Sequence, residues 1–105
     1  MKTQEQKTQE SQERKAYREK MEAQLKEWSA KIDLLKAKAD KAGAEAKIEY
    51  HQRINELRQK KEIMRGRLEE LKEASGEAWD SLKSGVQKAR DDLKKGVESA
   101  IAKFK

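Results

Sequence analysis

Apolar side chains recur along the first two thirds of the chain at alternating steps of four and three residues. The series runs through Met21, Leu25, Trp28, Ile32, Leu35, Ala39, Ala42 and Ala46. This heptad spacing places the apolar residues on one stripe of an α-helix. The next two steps, Ala46 to Tyr50 to Ile54, are also four residues each, and they shift the stripe before the alternation resumes. The pattern predicts a long coiled-coil helix over residues 15–74.

Two glycines are candidate ends of this helix. Gly43 stands in an alanine-rich stretch without a neighbouring proline or Asn-Gly pair. A lone glycine costs a helix only about 1 kcal/mol, so we expect the helix to continue through it, with a hairpin apex as the alternative. Ser75-Gly76 is a stronger break, because glycine can cap the helix before it and serine the helix after it. Residues 75–76 are therefore predicted to form a turn that ends the long helix. Residues 1–14, before that helix, are predicted to form a polar extension.

The last segment repeats every eleven residues. Leu82, Gly85, Val86 and Ala89 recur as Leu93, Gly96, Val97 and Ala100. An eleven-residue period is 3.67 residues per turn, which makes the apolar stripe run nearly straight along a helix. Residues 77–105 are therefore predicted to form an amphipathic helix.

The lengths of the two predicted helices determine how they can pack. The second helix is about half as long as the first and can cover only about residues 46–73 of it. The apolar stripe nearer the N-terminus would then stay exposed, and an exposed stripe of this kind marks an interaction site. We therefore predict an all-α helical hairpin, a long helix with a shorter antiparallel return helix, that forms a homo-oligomer. Its predicted self-association interface comprises Met21, Leu25, Trp28, Ile32 and Leu35.

The stripe of the second helix has two interpretations. Its larger residues are Trp79, Leu82, Val86, Leu93, Val97 and Phe104. They can pack against the first helix, and the glycines would then allow a close approach. Alternatively, lysines beside the stripe suit a helix that lies on an anionic membrane surface. The first interpretation predicts a coiled-coil scaffold, and the second predicts reversible membrane binding through residues 77–105.

Composition and charge limit the classes of function that the chain can have. More than half of the chain is Ala, Glu, Lys, Leu and Arg, which is typical of long helices. Basic residues number 26 and acidic residues 20, but the two signs are interleaved, which disfavours a nucleic-acid partner. There is no cysteine, and the one histidine, His51, has no catalytic partner set in the sequence. We expect a non-enzymatic cytoplasmic protein without cofactor, metal or small-molecule substrate.

Two segments resemble a known family. The residues QLKEW from Gln24 to Trp28 and AWDSLKSGV from Ala78 to Val86 are similar to a family of small bacterial coiled-coil proteins. Some cyanobacterial members of that family are described as stress-response proteins. The resemblance covers about residues 15–105, and it implies a bacterial cytoplasmic protein with a stress-associated role and no catalytic residues.

Overall fold

The computed structural model describes residues 11–104, which form three α-helices. They are α1, Gln12–Asp40, α2, Ala44–Lys72, and α3, Gly76–Lys103. The all-α prediction is confirmed. The second break comprises residues 73–75, so Ser75 of the predicted turn lies in it, whereas Gly76 is already the first residue of α3. Most of the predicted extension, residues 1–10, lies outside the described residues, whereas Gln12 and the two residues after it already belong to α1.

The predicted continuous helix over residues 15–74 is wrong. The backbone leaves the helix after Asp40, and α2 begins at Ala44 after Gly43, which is its N-terminal cap in an extended conformation. The chain therefore folds as three helices, and the hairpin of two unequal helices is replaced by a bundle. The physical reason is that α1 and α2, each of 29 residues, can bury their apolar stripes against one another when the chain turns back.

Contacts at the two ends fix the directions of the helices. Tyr17 at the start of α1 lies against Trp79 at the start of α3, so these two helices run parallel. Tyr50 at the start of α2 stacks on Phe104 beyond the end of α3, so α2 is antiparallel to both. All three pairs of helices are in contact, in a bundle that measures 61 × 19 × 16 Å.

The core runs the full length of this bundle. Each helix supplies one apolar stripe, and among the described residues no polar or charged residue is buried with it. The buried residues are Met21, Trp28, Ile32, Leu35, Ala39, Ile54, Leu57, Met64, Leu68, Leu71, Trp79, Val86, Ala89, Leu93, Val97, Ala100 and Phe104. The core is thus narrow and long, and each helix leaves a wide outer surface in solvent.

Candidate functional site

The predicted self-association interface lies inside the bundle. Met21, Trp28, Ile32 and Leu35 are each less than a tenth exposed, and Leu25 is half-buried against them. The prediction that these residues are exposed is wrong because α2 covers them from within the same chain. They form the core of one molecule, so they offer no free surface to a second.

The predicted face of α3 is also covered by its own chain. Trp79, Val86, Leu93, Val97 and Phe104 are buried, and Leu82 is half-buried beside them. Gly96 makes the close approach that the sequence suggested, because a Cβ atom there would lie 2.7 Å from Leu57 Cδ2. In this structure the face packs against the bundle.

Alternating cations and aromatic rings join the start of α1 to the start of α3. The Arg14 guanidinium lies 5.0 Å from the Trp79 ring centroid, and Lys83 Nζ lies 4.8 Å from that of Tyr17. The two rings meet edge to face at 6.2 Å. Burial raises the pKa of the Tyr17 hydroxyl above its ordinary value, and the positive charge of Arg90 opposes that rise. These contacts hold two parallel helices together and border a cleft of about 230 Å³.

The opposite end of the bundle is held by a second aromatic contact. The rings of Tyr50 and Phe104 are stacked with centroids 4.0 Å apart. The Tyr50 hydroxyl donates a hydrogen bond to the Lys103 carbonyl oxygen at 3.3 Å, and Lys103 Nζ lies 3.5 Å from a Glu49 carboxylate oxygen. Both ends of α3 are therefore anchored by one aromatic pair each.

The one histidine makes a contact across the first turn of the chain. His51 Nε2 lies 3.1 Å from Asp40 Oδ1, which is an ion pair when the imidazole is protonated. The pKa of Asp40 is lowered, first by the hydrogen bond from Lys36 and then by the nearby His51. The pair is solvent-exposed and joins the end of α1 to the start of α2. This contact gives His51 a structural role.

The surface between α1 and α2 carries an open groove of about 420 Å³. Leu25, Ser29 and Ala30 line it together with charged residues of both signs, among them Lys26 and Asp33. Lys61 reaches across from α2 to donate a hydrogen bond to Ser29 Oγ at 3.5 Å. No residue of α3 lines this groove, so it lies on a side of the bundle that the third helix does not cover.

A second periodic stripe on α1, which the sequence reasoning missed, faces away from the core. With Trp28 as zero and about 100° per residue, Ala23, Ala30 and Leu34 lie at about 220°, 200° and 240° around the helix. The stripe again alternates steps of four and three residues, and all its members are exposed. We call it the outer seam: Ala16, Lys20, Ala23, Glu27, Ala30, Leu34 and Ala37.

Two features distinguish the outer seam from an ordinary solvated helix face. Alanine recurs at every seventh position from Ala16 to Ala37. Leu34, which lies on the same stripe, is 67% exposed, the largest value among the exposed large hydrophobic residues of the described chain. The signal was present in the sequence, but the larger residues of the core stripe on the same helix masked it.

In residues 11–104, no group of three or more His, Cys, Asp or Glu side chains is placed to hold a metal ion. Within that same range, no helix is long and apolar enough to cross a membrane. Comparison with protein-family models, curated proteins and solved structures found no match to this chain. The resemblance to bacterial coiled-coil proteins, with its stress-associated role, therefore stays a prediction.

Proposed function

We propose that this chain is a non-enzymatic scaffold or interaction protein that forms a homo-oligomer through the outer seam of α1. The observation that carries the proposal is the heptad of alanines with the exposed Leu34 on the side of α1 opposite the core. Small residues in a heptad stripe let two helix backbones approach closely. The partner we infer is a second copy of the same chain, because twofold symmetry lets one stripe cover another.

The charges of α1 favour an antiparallel pair. In a parallel pair related by a twofold axis, Glu27 would face Glu27 of the second copy and Lys20 would face Lys20, so like charges would repel. In an antiparallel pair with the axis near residues 28 and 29, Leu34 of each copy lies over Ala23 of the other. Two symmetric copies of this contact would cover both exposed leucines.

The same antiparallel alignment brings opposite charges together beside the seam. Lys26 of one copy lies next to Asp33 of the other, and the symmetry axis repeats the pair. Both side chains border the groove between α1 and α2. Each exposed pair contributes about 0.2–1 kcal/mol, so these charges set the alignment more than the affinity.

A charge-swap series tests the alignment. We expect Lys26→Asp and Asp33→Lys each to weaken the dimer, since each change replaces two attractive pairs with two repulsive ones. About 1–2 kcal/mol in total corresponds to a roughly fivefold to thirtyfold rise in Kd, and the double variant should restore association. Failure of the double variant to recover would contradict the antiparallel alignment.

Leu34→Lys tests the seam itself, with Ile48→Lys as the matched control. Ile48 on α2 is 64% exposed, almost as much as Leu34, but it lies outside the seam. Light scattering after size exclusion should show that Leu34→Lys is monomeric, whereas Ile48→Lys has the mass of the unmodified protein. Equal masses for the two variants would contradict the proposal.

A further inference from the structure

The charges of α3 follow an order around the helix that sequence periodicity alone does not reveal. With Val86 as zero and about 100° per residue, Lys83, Arg90 and Lys94 lie at about 60°, 40° and 80°, beside the apolar face. The acidic residues of α3 all lie between about 120° and 240°, on the side away from it: Glu77, Asp80, Asp91, Asp92 and Glu98. Three of the six basic residues of α3 thus border the apolar stripe, and every acidic residue lies away from it. The other three, Lys88, Lys95 and Lys103, lie at about 180–260° on the far side.

Exposure in the folded bundle agrees with this order. Lys83 and Arg90 are partly buried at the edge of the core, whereas all five acidic residues of α3 are exposed. When an amphipathic helix lies on a bilayer, lysine and arginine stems at its edges extend along apolar surface while their charged ends reach lipid phosphates. Acidic residues on the far side point into water, where the negative surface repels them least. The arrangement therefore suits an anionic lipid surface.

In the closed bundle this apolar face is not free. Trp79, Val86, Leu93 and Val97 are at most 5% exposed and are covered by α1 and α2. Most of what holds α3 is apolar packing. A bilayer can bury the face of α3 in its place, while the core residues of α1 and α2 that α3 covers, such as Leu57, would lose that burial. The turn of residues 73–75 that connects α3 to α2 is short and makes only local backbone hydrogen bonds. Rotation about this turn would expose the whole face of α3.

Because of two glycines, α3 would need a surface to stay helical once it leaves the bundle. Gly85 and Gly96 stand inside the helix, where glycine disfavours helical structure in water. A single helix of this length with such residues is marginal without packing. Released α3 would therefore be helical when it lies on a lipid surface or returns to the bundle.

We propose that α3 exchanges its contacts with α1 and α2 for the surface of an anionic phospholipid bilayer. The closed bundle stores the lipid-binding face, and the anionic surface competes for it. The bundle end where Lys83 lies over Tyr17 would have to open, so Lys83 changes partners from an aromatic ring to lipid phosphate. This proposal concerns the inner face of α3 and does not depend on the outer seam of α1.

A reversible lock tests whether opening is required. The chain has no cysteine, and Leu57 and Gly96 touch across the boundary between α2 and α3. In the variant Leu57→Cys/Gly96→Cys, oxidation should join the helices and abolish sedimentation with vesicles of equimolar phosphatidylcholine and phosphatidylglycerol. Reduction should restore binding. Circular dichroism of the reduced variant checks that it folds, and equal binding by the oxidised and reduced forms would overturn the proposal.

A charge-position test needs no cysteines and covers the case in which the locked variant does not fold. Lys83→Glu/Lys94→Glu reverses charges beside the apolar face, whereas Lys88→Glu/Lys95→Glu makes the same net change on the far side. We expect the first pair to reduce partitioning onto the anionic vesicles by about tenfold or more, and the second pair to reduce it much less. Equal losses would indicate attraction by net charge alone and would overturn the proposed orientation, as would no binding by the unmodified chain.

Discussion

The contact between Gly96 and Leu57 gives the sharpest prediction about how the helices pack. In Gly96→Ala the new Cβ would lie 2.7 Å from Leu57 Cδ2, closer than such atoms pack, so one of them must move. Leu57 is only 3% exposed and has little room to rearrange. Overpacking of this kind costs about 1–3 kcal/mol, against a gain of about 0.8–1 kcal/mol in helix propensity. The net change in the free energy of unfolding is expected to be a loss of about 0–2 kcal/mol.

Two other helical glycines are matched controls. A Cβ at Gly66 would meet no atom within 4 Å, and one at Gly85 would meet Arg67 Cδ at an ordinary 3.6 Å. Both alanine variants are expected to gain up to about 1 kcal/mol. Urea denaturation followed by circular dichroism should therefore place Gly96→Ala about 1–3 kcal/mol below Gly66→Ala.

A double-mutant cycle separates the clash from any other effect of the alanine. Leu57→Ala removes the atom that the new Cβ meets, so Gly96→Ala should cost nothing, or stabilise, in that background. Because Leu57→Ala alone leaves a cavity and costs about 2–5 kcal/mol, each arm is compared with its own parent. If Gly96→Ala stabilised the unmodified protein as much as Gly66→Ala does, the packing of α3 on α2 described above would be refuted.

Two further predictions concern the core and the first turn. Leu93→Ala should lower the free energy of unfolding by about 2–5 kcal/mol because Leu93 is fully buried. Leu34→Ala should change it by less than about 0.5 kcal/mol in the dilute monomer. Comparable losses for the two variants in urea denaturation would contradict the burial pattern. The pKa of Asp40 is lowered by Lys36 and His51, so its contribution to stability is present above the unfolded pKa near 4 and is lost as the pH falls through the folded pKa. Asp40→Asn should therefore lose less stability than the unmodified protein between about pH 5 and pH 2 in thermal melts, and identical pH profiles would show that the contact contributes nothing.

The helical class and the second turn could be predicted because local signals decide them. The apolar periodicity in every segment matches a helix, and Ser75-Gly76 combines two residues that favour helix ends. The turn before Gly43 could not be predicted in the same way, since a lone glycine changes helix stability by only about 1 kcal/mol. What decides that turn is the burial of the stripes of α1 and α2 against each other, which is a tertiary effect.

The phase shift in the heptad stripe does not mark the missed turn. The heptad stripe changes phase between Ala46 and Ile54, just after the position where the chain reverses. Ala46, Tyr50 and Ile54 all lie within α2, so the two steps of four residues occur inside one helix and not at the chain reversal. It was the prediction of one continuous helix that made Trp28 and Ile32 look exposed, and so moved the predicted interface onto residues that are part of the core.

The outer seam could not be recognised from the sequence for a different reason. Alanine is common in any stable helix, so Ala16, Ala23 and Ala30 carry little information until the inner face of α1 is known. Once the structure assigns that inner face to α2 and α3, Leu34 has no packing role within the chain. The position of the core therefore had to be known before the interaction surface could be recognised.

Sedimentation velocity of the unmodified chain over a wide range of concentrations tests the central proposal, self-association through α1, most directly. It reports mass and elongation together. We predict an elongated species of twice the 12.2 kDa chain mass that dissociates on dilution. A monomer of 12.2 kDa at every concentration would contradict the proposal, because Leu34 and the outer seam would then remain exposed without a second copy.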